Sequence, residues 1–186
     1  IGTRNLGKGE DFRYKKWRDE FGDRWWWLSY LRVFLLQGVL MWIISLPLLA
    51  AQYFPTPDRL TWLDWIAVIV WSIGFYFEAM GDFQMRRFKA DPESKDKVLD
   101  RGVWRYTRHP NYFGDATQWW AFYLFALATI SGWWTIISPL IMTYLLRFVS
   151  GVTMLDDSLK DKKPGYRKYI ETINAFIPWF PKKKEN

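Results

Sequence analysis

VFLLQGVLMWIISLPLLAAQYF, residues 33–54, is an uninterrupted run of 22 residues without a charged side chain. A second run, WLDWIAVIVWSIGFYFEAMGD (62–82), is apolar through most of its length. An α-helix rises about 1.5 Å per residue, so about 20 residues cross the ~30 Å hydrocarbon core of a bilayer. Both runs are therefore predicted to be transmembrane helices.

Two shorter apolar runs follow, at residues 116–130 and 133–149. They would form one over-long helix if Ser131-Gly132 did not separate them, so a tight helical hairpin is the better prediction. The sequence thus predicts an all-α fold, a polytopic transmembrane helical bundle with four spans in this chain. Residues 1–186 are interpreted as a single membrane domain.

The basic residues are segregated between these runs. Of the 26 Lys and Arg, seven lie in residues 1–27, eight in 83–112 and eight in 150–186. Four spans place these three segments on one side of the membrane and leave 55–61 and 131–132 on the other. Because an excess of Lys and Arg marks cytoplasmic loops, the three basic segments are predicted to face the cytoplasm.

Composition excludes several functions. The chain has no Cys and one His, which rules out thiolate chemistry and disfavours haem and His-rich metal sites; no metal is predicted. The net charge of +7 is divided among loops between apolar runs, unlike that of a soluble basic domain, so no nucleic-acid partner is expected. No GxGxxG motif follows a strand, and any dinucleotide would be bound without a Rossmann fold.

Polar residues occur where they are costly in lipid. Near the second span, Glu78, Asp82 and Arg86 are spaced four residues apart and share one helix face. The other polar groups in or at the ends of spans are Gln37, Asp115, Gln118 and Arg147. Such residues usually face a cavity or a partner. Two interpretations stay open: interfacial ion pairs that fix helix ends, or a functional site.

The segment RYTRHPNYFGD (105–115) carries the most specific pattern. Arg105, Arg108 and His109 precede a Pro-Asn pair, and Asn111 is predicted to cap the following helix. Guanidinium groups beside a helix N-terminus suit an anion such as a phosphate. The alternative is a basic cytoplasmic loop close to anionic lipid.

Neighbouring residues extend this predicted anion site. Tyr106 and Tyr112 offer flat faces for a base or a nicotinamide ring, and the basic residues at 86–89 could add charge for a ribose 2′-phosphate.

Six pieces of the chain, in this order and spacing, resemble the C-terminal two-thirds of the steroid 5-alpha-reductase family, in particular its bacterial branch. They are GKGEDFRY (7–14), LLQG (35–38), the Glu78/Asp82/Arg86 helix end, RYTRHPNYFGD (105–115), PGYRKY (164–169) and AFIPWFP (175–181). The resemblance implies a reductase of about seven helices in the bacterial inner membrane, with its cofactor site on the cytoplasmic side. The first helices are expected to precede Ile1.

The resemblance also implies the chemistry. NADPH would deliver a hydride to the carbon–carbon double bond of an enone, in a 3-oxo-delta4-steroid or another lipid. Eight matching positions are implied to contact this cofactor: Asp82, Arg86, Arg108, Asn111, Tyr112, Asp115, Arg147 and Tyr169. The proton donor at the substrate carbonyl is expected in the helices before Ile1, so no catalytic residue is assigned here. Two positions depart from the family, which commonly has Glu at Asp115 and, in animal members, Asn at Glu78.

Two other functions stay open. The RHPNY core is similar to the motif of membrane methyltransferases of the isoprenylcysteine or phospholipid type, which use S-adenosylmethionine. Those proteins usually carry a Glu pair after the last span, where this chain has Asp156-Asp157. The third possibility is a non-catalytic sterol- or lipid-binding membrane protein.

Overall fold

The computed structural model describes residues 12–149, 151–160 and 162–182. Across these three ranges every regular element is helical, which confirms the all-α prediction. The chain forms two compact units, Ile1–Ile43 and Ile44–Asn186. Residues 7–11 of the GKGEDFRY motif lie outside the described residues.

The first unit is built from short consecutive helices. Its elements are α1 (Phe12–Phe21), a 3-10 turn (Gly22–Arg24), α2 (Trp25–Ser29) and a π-helical segment (Tyr30–Leu35). Helix α3 (Leu36–Tyr53) then runs from the first unit into the second and contains the buried Pro47.

Helix α4 (Trp62–Ala90) is the longest single α-helix among the described residues. It begins at a capping box, in which Asp64 Oδ2 accepts a 2.7 Å hydrogen bond from the Thr61 backbone and Thr61 accepts one from the Asp64 backbone. The helix continues eight residues past Asp82, where the predicted span ends. Its last two turns therefore carry the basic residues Arg86, Arg87 and Lys89.

The predicted hairpin is present. Helix α5 (Pro110–Leu127) is followed by a 3-10 helix (Gly132–Ile136), α6 (Ile137–Tyr144) and a π-helical segment (Leu145–Val149). Trp120 Nε1 donates to Thr143 Oγ1 at 3.1 Å, so the two arms run antiparallel. The turn requires glycine at 132, because a Cβ there would collide with the Ala126 carbonyl.

Helices α7 (Val152–Lys160) and α8 (Tyr166–Thr172) complete the helical part of the second unit. A segment without regular secondary structure, residues 174–182, follows them; we call it the C-terminal strap. Hydrogen bonds described below tie it to the loop before α5.

Helices α4 and α5 pack antiparallel with their backbones close together. A Cβ at Gly74 would lie 2.7 Å from the Gly114 carbonyl oxygen, and one at Gly81 would lie 3.1 Å from the Asn111 nitrogen. A Cβ at Gly114 would lie 2.8 Å from that of Glu78. Small residues at such positions let helix backbones approach closely.

Three helical segments of the described chain are long and apolar enough to cross a membrane, by length and composition: Trp17–Tyr53, Trp62–Ala90 and Gly132–Lys160. The predicted number was four. Helix α5, the third predicted span, is absent from this set because its first half contains the polar residues Asn111, Asp115 and Gln118. Many apolar side chains of the three segments are exposed on the surface; Met41, for example, is 71% exposed. A soluble protein would bury such side chains, so this exposure is typical of a membrane protein.

Candidate functional site

Polar side chains of α4 and α5 meet where the two helices pack. Asn111 Nδ2 donates a 3.3 Å hydrogen bond to Asp82 Oδ1, and Gln118 Nε2 donates to Glu78 Oε2. We call this set, together with Asp115, the polar seam. Because Asp82 is exposed and Asn111 half-buried, this end of the seam is open to a ligand.

Three carboxylates lie along the polar seam. Asp115 lies close enough to Glu78 for electrostatic repulsion. Both residues are half-buried. The seam therefore favours groups that donate hydrogen bonds, such as hydroxyls and amides.

The loop before α5 is held by a buried cluster. Arg108 Nη2 lies 2.6 Å from Asp156 Oδ2, and Arg108 Nη1 donates to the carbonyl oxygens of Ile170 (3.1 Å) and Ile173. Arg108 and Asp156 are each 7% exposed. The guanidinium group is thus occupied by protein partners from α7 and α8.

Two more residues complete this cluster, which we call the buried lock: Arg108, His109, Asp156 and Tyr166. His109 Nε2 lies 3.0 Å from Asp156 Oδ1, and the Tyr166 hydroxyl donates to the same oxygen at 2.7 Å. Burial, with the hydrogen bond to Asp156, raises the pKa of Tyr166 well above its usual range. The phenol therefore stays a donor at physiological pH.

A second chain of hydrogen bonds joins α8 to α4 through the same loop. The Tyr169 hydroxyl donates to the Trp104 carbonyl oxygen, and Trp104 Nε1 donates to the Gly81 carbonyl oxygen at 3.1 Å. Burial raises the pKa of Tyr169, which keeps its hydroxyl protonated for this bond. Tyr169 therefore connects α8 to the loop and, through Trp104, to the helix that carries Asp82.

The structure divides the eight predicted contacts. Asp82, Asn111 and Asp115 meet in the polar seam, and Arg86 is exposed one turn beyond Asp82. The others lie elsewhere: Arg108 in the buried lock, Tyr169 against Trp104, Tyr112 with its ring stacked on His109 at 5.6 Å, and Arg147 over the ring of Phe148 at 5.0 Å. Cofactor contact by these eight residues stays a prediction.

One local prediction is wrong. Asn111 does not cap α5, because the helix begins at Pro110 and its N-cap residue is His109. The proline ring fixes φ at a helical value and needs no hydrogen-bond acceptor, so it starts the helix two residues earlier. The Asn111 side chain is then available to Asp82 on α4.

Sequence reasoning missed the central role of Asp156. The residue lies 48 positions from Arg108, and Asp156-Asp157 was noted only as a departure from a Glu pair. One signal was present: Asp156 is four residues after Val152 and three before Leu159, so it lies on the apolar face of α7. An acidic residue on such a face requires a buried partner.

Comparison with known proteins shows the family. The sequence model of the family described as "Protein of unknown function (DUF1295)" matches residues 1–173, and the chain belongs to this family. An uncharacterized protein of Schizosaccharomyces pombe is 27% identical over 192 residues, which cover 91% of this chain and 55% of that protein. The chain thus spans about half the length of this curated relative. No solved structure matches it.

Proposed function

We propose that this protein is a membrane-embedded reductase that binds NADPH at the polar seam and saturates the carbon–carbon double bond of an enone lipid. A 3-oxo-delta4-steroid is one such substrate. The single observation that carries the proposal is the pairing of Asp82 with Asn111. It places two residues of the steroid 5-alpha-reductase resemblance, 29 positions apart, in direct contact at an accessible helix end.

The residues around this pair fit a phosphorylated dinucleotide. Arg86, Arg87 and Lys89 on the last turns of α4 are exposed. Cations suit the phosphates, whereas Asp82 and the Asn111 amide suit ribose hydroxyls.

Bound NADPH would supply the hydride. Within this chain, Asp82 and Asn111 would orient the ribose by hydrogen bonds, and Arg86 would hold a phosphate by a charge-assisted bond. The half-buried Asp115 would offer its carboxylate as a hydrogen-bond acceptor at the end of the seam next to Glu78. No residue of this chain is proposed as the proton donor at the substrate carbonyl, so the chain would provide the cofactor part of the site.

Arg108 and Tyr169 have a different part in this proposal. Their polar groups are taken up by Asp156 and by backbone carbonyls, so they hold the loop that ends at Asn111 instead of binding the cofactor. Tyr112 shares this indirect role through its stack on His109.

The proposal is tested by tryptophan fluorescence titration of the full-length protein with NADPH, NADH and S-adenosylmethionine. We expect NADPH to bind most tightly, and Arg86→Gln to weaken it about tenfold, since a charge-assisted hydrogen bond is worth roughly 1.5–3 kcal/mol. Arg59→Gln, at an exposed loop residue before α4, is the matched control and should change nothing.

Two outcomes would contradict the reductase. Equal affinity for NADPH and NADH would show that the protein does not contact the ribose 2′-phosphate. Saturable binding of S-adenosylmethionine alone would favour the methyltransferase. Binding of none of the three would favour a sterol- or lipid-binding protein.

The proposed site faces the cytoplasm on the argument of charge segregation, and a bacterial inner membrane is what the family resemblance implies. The chain has no Cys, so single cysteines report sidedness without background from its own residues. In the full-length protein freed of other cysteines, Thr56→Cys and Lys95→Cys should be labelled from opposite sides by an impermeant maleimide. Labelling from the same side would exclude this arrangement.

A further inference from the structure

The C-terminal strap presents large apolar side chains outward. Ile177, Trp179 and Phe180 are 65%, 66% and 72% exposed. Phe176, beside them in sequence, is half-buried instead, and its ring packs edge-to-face on Phe113 of α5 at 6.2 Å. The strap therefore has an inner side that packs on the second unit and an outer side that this unit leaves uncovered.

The strap is fixed in place by hydrogen bonds to the loop before α5. Arg108 N donates to the Asn174 carbonyl oxygen and Trp179 N to the Tyr106 carbonyl oxygen, both at 2.9 Å. Thr107, fully buried, donates its hydroxyl to the Phe176 carbonyl oxygen at 2.8 Å. Because these hydrogen bonds hold the strap backbone on either side of Ile177, the exposed side chains have a defined position on the surface.

Basic residues border this apolar patch. Two exposed cations lie at its edges: Lys182 at the end of the strap, and Arg105 in the loop before α5. The sequence continues with Lys183 and Lys184. The Tyr106 ring packs against Phe180 at 6.0 Å and widens the aromatic surface. Aromatic rings flanked by cations are the composition of a segment at the membrane interface, where rings lie at headgroup level and Lys and Arg meet anionic lipid.

We propose that the strap is an interfacial anchor, whose Ile177, Trp179 and Phe180 insert into the headgroup region of an anionic leaflet. The occupant is lipid and not a second protein surface, since the exposed cations Arg105 and Lys182 would be costly against an apolar helix but are favourable at an anionic bilayer. Each Lys or Arg near such a surface strengthens the attraction by about fivefold. This inference is independent of the NADPH proposal.

The consequence concerns the loop at 106–108. Its backbone is bonded to the strap, so insertion of the strap would hold this loop at the level of the lipid headgroups.

The test uses the full-length protein, freed of other cysteines, in nanodiscs. A bimane label at Phe180→Cys should be shielded several-fold from aqueous iodide and quenched by a lipid-borne nitroxide. A label at Lys95→Cys, an exposed residue of another basic loop, should behave in the opposite way. Adding phosphatidylglycerol to phosphatidylcholine should increase the shielding at position 180. Ile177→Cys repeats the measurement if the first variant does not fold.

Three results would overturn the anchor. The first is equal iodide access at positions 180 and 95. The second is shielding that grows with protein-to-lipid ratio, which would indicate a second copy on the patch. The third is shielding without nitroxide quenching in either lipid, which would place the patch against other helices of the same protein.

Discussion

The two halves of the segment RYTRHPNYFGD are used in opposite ways. Its first half ends in Arg108 and His109, which are 7% and 3% exposed and bonded to Asp156 in the buried lock. In its second half, Asn111 and Asp115 face α4 and are half-buried. Arg108 and His109, whose side-chain types suit an anion, are therefore already bonded to other residues of the protein. The amide and carboxylate that follow them are better placed for a ligand.

This division has an energetic reason. A buried guanidinium is tolerated only with a partner and further hydrogen bonds, and Asp156 with two backbone carbonyls supplies them. Residues so committed contribute rigidity. The Asp82–Asn111 bond, exposed and 3.3 Å long, contributes little to folding and can be exchanged for a ligand.

Removing the charge of Asp156 should have the largest effect. Asp156→Asn leaves Arg108 buried without a counter-charge, and breaking a buried pair costs about 3–5 kcal/mol. We expect a clearly lower midpoint of thermal unfolding for the full-length protein in detergent.

The neighbouring Asp157→Asn is the matched control. Its side chain is 61% exposed and pairs with Lys160 three residues on, so a change of about 0.5 kcal/mol or less is expected. Similar unfolding midpoints for the two variants would mean that the buried lock is not what holds the loop.

The close approach of α4 and α5 predicts a smaller loss of stability. In Gly114→Ala the new Cβ would lie 2.8 Å from the Glu78 Cβ, and such overpacking typically costs about 1–3 kcal/mol. Gly38→Ala in α3, where nothing lies within 4 Å, should instead stabilise the helix by about 0.5–1 kcal/mol. Equal unfolding midpoints for Gly114→Ala and Gly38→Ala would show that α4 and α5 are farther apart than these distances indicate.

The apolar runs and the residues that interrupt them predict much of the fold. The run at 33–54 lies in one helical segment, and Ser131-Gly132 marks the hairpin between α5 and α6. The predicted second span ends at Asp82 because the apolar run ends there, whereas the helix continues to Ala90, since Arg and Lys are good helix formers. The third predicted span rests on the apolar second half of α5 alone.

The candidate site could be predicted only in part. The spacing of Glu78, Asp82 and Arg86 gave a shared helix face, and the proximity of Asn111 and Asp115 to that face followed from the resemblance. The buried lock could not be found in this way, because no local pattern pairs Arg108 with Asp156 or indicates that Tyr169 donates to a backbone carbonyl. Pairings between distant segments depend on how α7 and α8 fold back onto the loop.

The most direct test of the central claim is an NADPH titration, with thermal unfolding, of the full-length Asp82→Asn protein beside its parent. Asp58→Asn, the same change at an exposed loop residue before α4, is the control. If Asp82 binds the cofactor, affinity should fall about tenfold or more while the unfolding midpoint stays that of the parent, since a hydrogen bond to a charged group is worth roughly 1.5–3 kcal/mol. Unchanged NADPH affinity in Asp82→Asn would contradict the claim and leave the Asp82–Asn111 pair as a helix-end contact.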